Sequence, residues 1–149
     1  MIALLIVLTL VSFLQATFWP INLVLIILIS RAFVTSDKIT LWLSFGFGLL
    51  LALLSGYPLG SLSLIYLLII VLVRLVRNTH LASHWLIILP LSWIMLLLDQ
   101  FLQSLILGTG FRFLSSLLPL IFVLPIYLAV RFWEERFIPR PAIKLKIGK

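Results

Sequence analysis

The sequence contains no cysteine, which excludes disulfides, thiolate metal centres and thiol nucleophiles but says nothing about compartment. Negative charge is almost as scarce. Asp37, Asp99, Glu134 and Glu135 are the only acids in 149 residues, and no carboxylate pair spaced for acid–base work stands out among them. Charged residues make up 10% of the chain, against about a quarter in a soluble domain. Long polar stretches are missing too, which leaves no room for a separate soluble domain between the apolar runs. In their place is hydrocarbon: 64% of the residues are hydrophobic and the mean hydropathy is +1.33. One small core could not hide so much apolar surface, so lipid is expected to cover most of it.

Apolar runs fall at about 2–18, 20–34, 39–54, 57–76, 84–107 and 113–133. They predict an all-α polytopic membrane protein with about six helices. The expected organisation is a six-helix transmembrane domain over residues 1–134 and a basic cytoplasmic tail over 135–149. Several runs are short: sixteen residues rise only about 24 Å, so such helices must stand upright, thin the bilayer or lean on neighbours. The first run lacks a basic n-region, and Leu14 stands where a cleavage site before Ala16 needs a small residue. It therefore reads as a retained helix rather than a secretory signal. Pro20 can open the second helix, and Ser36 with Asp37 can cap the third. Gly108, Thr109 and Gly110 break the chain before the sixth. Pro90, Pro119 and Pro125 are expected inside spans, as kinks. The alternative is a single long, kinked span over 2–34, giving five spans.

The net charge of +7 is distributed by position. With six spans and a cytoplasmic N-terminus, the inner loops hold Arg31, Lys38, Arg74 and Arg77. The inner tail adds Arg131, Arg136, Arg140, Lys144, Lys146 and Lys149, while Arg112 alone lies outside. That is a strong positive-inside bias. Arg74, Arg77, Arg131, Arg136, Arg140, Lys144 and Lys146 are the expected topology and lipid-headgroup residues. Trp42, Trp85 and Trp133 fall near the inner headgroups and Trp19 near the outer ones. No nucleic-acid partner is implied by basic residues placed this way.

Candidate chemistry is sparse. Asp99, in LLLDQFLQSL, is the one acid clearly within a run, and it shares a helix face with Gln103. An intramembrane carboxylate faces protein or water rather than lipid. It is expected to act as interhelical glue with Gln15, Asn22 or a kink carbonyl, ahead of a partner contact or a transport step. His80 and His84 are spaced i, i+4, but two ligands do not make a metal site. Gly46-Phe47-Gly48 lies in an apolar run, not after a soluble strand, so it is no phosphate loop. Neither an enzyme, a cofactor nor a metal is expected. The tail RFWEERFIPRPAIKLKIGK reads as a lipid anchor, with IKLKI a possible added strand on a partner.

The sharpest corner, SGYPLG at 55–60, carries no charge. Gly56 suits the left-handed residue that ends a helix and Pro58 the first turn of the next. Gly48, Ala52 and Ser55 share one face of the third run, and Gly56 and Gly60 form a G-x-x-x-G. In lipid, small residues let helix backbones approach. Gly48, Ser55, Gly56, Pro58 and Gly60, with Asp99 and Gln103, are therefore the candidate helix-packing or partner-docking residues.

The stretch SFGFGLLLALLSGYPLGSLSLIYLLIIVLVRLVR, residues 44–77, resembles the central hairpin of the bacterial rod shape-determining protein MreD family. That family pairs a Gly-rich span with a Leu-rich run, a Ser-Gly-x-x-Leu-Gly corner and a span ending in Arg. Here those elements are Gly46, Gly48, Ser55, Gly56, Leu59, Gly60 and Arg74. LQATFWPINLVLIIL is similar too, through Gln15, Pro20 and Asn22. Ala52 stands where the family often has Asp, and Asn22 where Asp is also common. The resemblance covers about residues 15–77. It implies a fold resembling the substrate-binding component of energy-coupling-factor transporters. It also implies a non-catalytic scaffold role beside MreC in the cell-elongation, peptidoglycan-synthesising complex of the bacterial inner membrane, with homo-oligomers left open. The alternative function is a vitamin-binding transporter component, which Trp19, Tyr57, Gln103 and Arg112 would partly line.

Overall fold

A computed structural model describes residues 2–18, 21–35, 37–79, 87–108, 110 and 117–137. They form six helices: α1 (Ile2–Phe18), α2 (Leu23–Val34), α3 (Ile39–Ser55), α4 (Ser61–Arg77), α5 (Ile88–Leu107) and α6 (Leu117–Phe137). The fold is all-α, one helix to each apolar run. The 2–34 run is two helices, not one. Two of the six, Ile88–Leu107 and Leu117–Arg136, are long and apolar enough to cross a membrane.

The short α2 is the axis of the bundle. It packs against each of the other five helices, and every residue from Val24 to Phe33 is buried. A helix apolar on all sides must be shielded from water on all sides, and here other helices do so. Around it the outer helices touch in the order α1, α3, α4, α5, α6, while α1 and α6 do not touch each other among the described residues. The outward surface stays apolar: Ile2, Leu10, Trp42, Leu53, Leu64, Leu105, Ile121 and Phe132 are among many large exposed hydrophobics.

The helices alternate in direction. Gln15, late in α1, bonds Asn22 and Val24 at the start of α2, whereas Ala3, Leu4 and Leu8 lie beside Ile27. α1 and α2 are therefore antiparallel. At the far end Arg31 of α2 meets Glu134 of α6, and Arg77 of α4 meets the last carbonyls of α2. One end of the bundle thus gathers the last turns of α2, α4 and α6, and the other the last turns of α1, α3 and α5.

α3 and α4 turn back on each other through the 55–60 corner. Gly56 has φ 70° and ψ 20°. The Tyr57 N–H donates to Ala52 C=O at 3.0 Å and the Gly56 N–H to Leu53 C=O at 3.4 Å, the Schellman closure of a helix. Gly60, at φ 94°, redirects the chain into α4, and its carbonyl accepts the Leu64 N–H at 2.9 Å. Pro58 lies before α4 rather than in its first turn, and its carbonyl accepts from both the N–H and the hydroxyl of Ser61.

Two expectations are corrected by where the helices start. Pro90 falls in the first turn of α5, where no N–H is needed, whereas Pro125 is interior to α6. Lys38, not Ser36 or Asp37, holds the N-cap position of α3, with no side-chain cap; Ser36 itself lies outside the described residues.

The closest backbone approach is between α3 and α4. A Cβ on Gly48 would lie 2.5 Å from Ser63 Cα and 2.9 Å from its nitrogen, whereas a Cβ on Gly46 meets nothing within 4 Å. Gly48→Ala should therefore force the two helices apart and lower stability by about 1–3 kcal/mol. Gly46→Ala should hold or raise it by up to about 1 kcal/mol through helix propensity. Thermal melts should show a lowered midpoint for Gly48→Ala and an unchanged or raised one for Gly46→Ala.

Candidate functional site

Four helices bring polar side chains together at the end of the bundle that holds the last turn of α1. Gln15 comes from α1, Asn22 from the start of α2, Tyr66 from α4, and Asp99 and Gln103 from α5. Asp99 is fully buried. Its Oδ2 accepts from Asn22 Nδ2, and Gln103 Nε2 lies 3.0 Å from both carboxylate oxygens. Gln15 Nε2 donates to Asn22 Oδ1 at 2.8 Å, and its Oε1 accepts the Val24 N–H at 3.2 Å. The buried Tyr66 phenol meets Gln15 and faces Asp99.

The local reason for this arrangement is the start of α2. Asn22 occupies the N-cap position but makes no side-chain cap, because its amide is spent on Gln15 and Asp99. Gln15 instead satisfies one of the N–H groups that a helix start leaves open. The cluster thereby fastens the α1–α2 hairpin to α5. Its donors are turned on one another, and each buried amide has a role in the chain of bonds.

The opposite end holds nine of the ten described charged residues, all but Asp99. Arg31 Nε lies 3.0 Å from Glu134 Oε1, and both side chains are almost wholly buried. Arg77 Nη2 donates to Val34 C=O at 2.9 Å and Nη1 to Ala32 C=O at 3.4 Å. A cation at a helix C-terminus both satisfies open carbonyls and opposes the negative end of the helix dipole. Phe33 meets Tyr127 edge to face, with centroids 6.1 Å apart. On the exposed side of α6, Arg131 pairs with Glu135 at 2.9 Å and the Arg136 guanidinium lies over the Phe132 ring at 5.7 Å.

Of the expected packing residues, Gly48 lies against Ser63, and Asp99 and Gln103 lie together. Ser55 and Gly56 are exposed, and neither Gly56 nor Gly60 approaches another backbone. These two glycines are not a helix-packing pair: both adopt left-handed turn conformations, so no single helix face carries them. Arg31, expected in an inner loop, is inside α2, and Glu134 joins Asp99 as a second buried acid. Arg74 is half-buried, and Arg131 and Arg136 are exposed. Trp19, Pro20, His80, His84, Trp85, Thr109, Arg112, Arg140, Lys144, Lys146 and Lys149 lie outside the described residues. The Arg31–Glu134 pair went unread in the sequence. Its one signal was a lone arginine in the otherwise apolar LVLIILISRAFV; its partner lies 103 residues away.

Comparison of the chain with protein-family models, with curated proteins and with solved structures finds no match in any of the three.

Asn22→Ala and Asp99→Ala should each destabilise the protein, since each leaves a buried polar group unpaired, at about 1–3 kcal/mol. The double variant should cost less than the sum, with a coupling of about 0.5–3 kcal/mol by double-mutant cycle. Arg31→Met should cost about 3–5 kcal/mol by stranding Glu134, and adding Glu134→Leu should recover most of that loss. Unfolding midpoints of the single and double variants measure both effects.

Proposed function

We propose that the chain is a multi-pass membrane protein of the bacterial inner membrane, with both termini cytoplasmic, and a non-catalytic scaffold of the MreD kind that packs beside MreC in the cell-elongation complex. The observation that carries the membrane reading is the segregation of charge. Nine of ten described charged residues gather at one end of a bundle whose sides are apolar. Water would disfavour that surface on a soluble monomer, whereas a bilayer with an anionic cytoplasmic face, where basic residues collect, favours it. Trp42, exposed at the start of α3 beside Lys38, fits an inner interfacial belt. At 12 residues α2 rises about 18 Å, well short of a bilayer core of about 30 Å. Its near-complete sheath of protein leaves it little need to meet lipid.

The scaffold role rests on the resemblance of residues 15–77 to the MreD family, and so does the expected likeness to the energy-coupling-factor substrate component. The polar groups support it indirectly, because they are consumed in joining helices. A vitamin-binding component has less support: Gln103 is engaged by Asp99, and Tyr57 packs against the apolar core.

Because the chain lacks cysteine, single cysteines report topology cleanly. Tyr57→Cys should be labelled by a membrane-impermeant maleimide added to intact spheroplasts, and Lys38→Cys only after lysis. Affinity purification of the tagged chain in mild detergent should recover MreC. The same labelling at both positions would overturn the topology; absence of MreC, or a vitamin bound to the purified protein, would overturn the scaffold role.

A further inference from the structure

The ring of helices around α2 is open at one seam. α1 and α6 both lean on α2 without touching each other among the described residues. Between them runs a groove of about 300 Å³, walled by Leu4 and Val7 on one side and by Ile126, Ala129 and Trp133 on the other, with Ile27 of α2 in its lining. Every side chain that lines it is apolar, so it offers an occupant no hydrogen bond.

Two dimensions select the occupant. Ile27 is only 9% exposed, so the walls nearly close over α2. A single hydrocarbon chain needs less room there than a helix about 10 Å across. A basic residue lies beyond the groove on α6. Ala129, Trp133 and Arg136 recur at i, i+4 and i+7 on one face of α6, so the apolar wall leads within one turn to a guanidinium at the charged end of the bundle. Arg136 is exposed and is held over the Phe132 ring.

We infer that the α1/α6 seam binds one anionic phospholipid, with an acyl chain lying in the groove and the phosphate on Arg136. The site rests on the membrane reading above and adds to it a defined lipid, distinct from the general lipid that would coat the outer surface. The bound chain completes the sheath of α2 where the fold leaves it thinnest, and the guanidinium supplies the charge selection.

The test uses the full-length protein, purified in mild detergent, stripped of lipid and mixed with phosphatidylglycerol or phosphatidylcholine, with bound lipid counted by native mass spectrometry. The wild type should retain one phosphatidylglycerol and hold it in preference to phosphatidylcholine. Ala129→Phe fills the groove and should cut retention about tenfold through lost acyl burial. Arg136→Gln, on an exposed face where folding is not at stake, should leave phosphatidylcholine binding unchanged and reduce the phosphatidylglycerol preference about fivefold. Val7→Trp fills the groove from the opposite wall and should reproduce the Ala129→Phe loss. Equal retention by the wild type and both groove variants overturns the site, as does a wild type without headgroup preference. Recovery of a polypeptide instead of a lipid, displaced by Ala129→Phe, also overturns it. Resistance of the wild type to alkaline carbonate extraction reports separately on the membrane reading.

Discussion

The structure depends on the enclosure of α2. This helix is too short to cross a bilayer by itself, is apolar on every side, and carries a buried guanidinium near its end. Water would not tolerate its apolar faces, and lipid would not tolerate its short length or its guanidinium. The remaining five helices are arranged to meet that constraint, and each contributes a wall. Burial of α2 also dictates its polar attachments: its first turn needs acceptors for N–H groups, its last turn needs donors for carbonyls, and Arg31 needs a carboxylate.

Those three needs explain where the scarce polar residues are placed. At one end Gln15 serves the α2 N-terminus and Asn22 reaches Asp99. At the other, Arg77 closes the C-terminus and Glu134 neutralises Arg31. α1, α4, α5 and α6 each send a polar side chain to α2. The fifth outer helix, α3, makes its closest approach to α4, by letting Gly48 sit on the Ser63 backbone. Two modes of attachment thus coexist, sparse buried hydrogen bonds to the axis and direct backbone contact in the α3–α4 hairpin. In a lipid setting, where burial of apolar surface between helices gains little, these are the two interactions able to give the bundle a single arrangement.

The charge asymmetry follows from the same geometry. Helices that alternate in direction place the last turns of α2, α4 and α6 together, and the basic residues of the chain recur in those turns. The opposite end is closed by Gly56, Gly60 and Gly108, all with positive φ. Turns made of glycine need no charged side chain to stop a helix, and no described turn at that end carries one. An uncharged corner at residues 55–60 is therefore both a tight reversal and one half of the bundle's electrical polarity.

Local pattern sufficed for much of this. Six apolar runs gave six helices because hydrophobic continuity and helix length are properties of neighbouring residues. Gly56 as a helix terminator and the face shared by Asp99 and Gln103 follow from i to i+4 geometry within one segment. Helix starts were read less well, since Pro90 is as compatible with a first turn as with an interior. What tertiary structure alone decided is which helix is central, which small residues touch, and which distant charges meet. Gly46 and Gly48 look alike in sequence, yet only Gly48 lies against Ser63. Arg31 and Glu134 find each other across 103 residues because α2 is enclosed, and enclosure is a property of the whole bundle that no single segment carries.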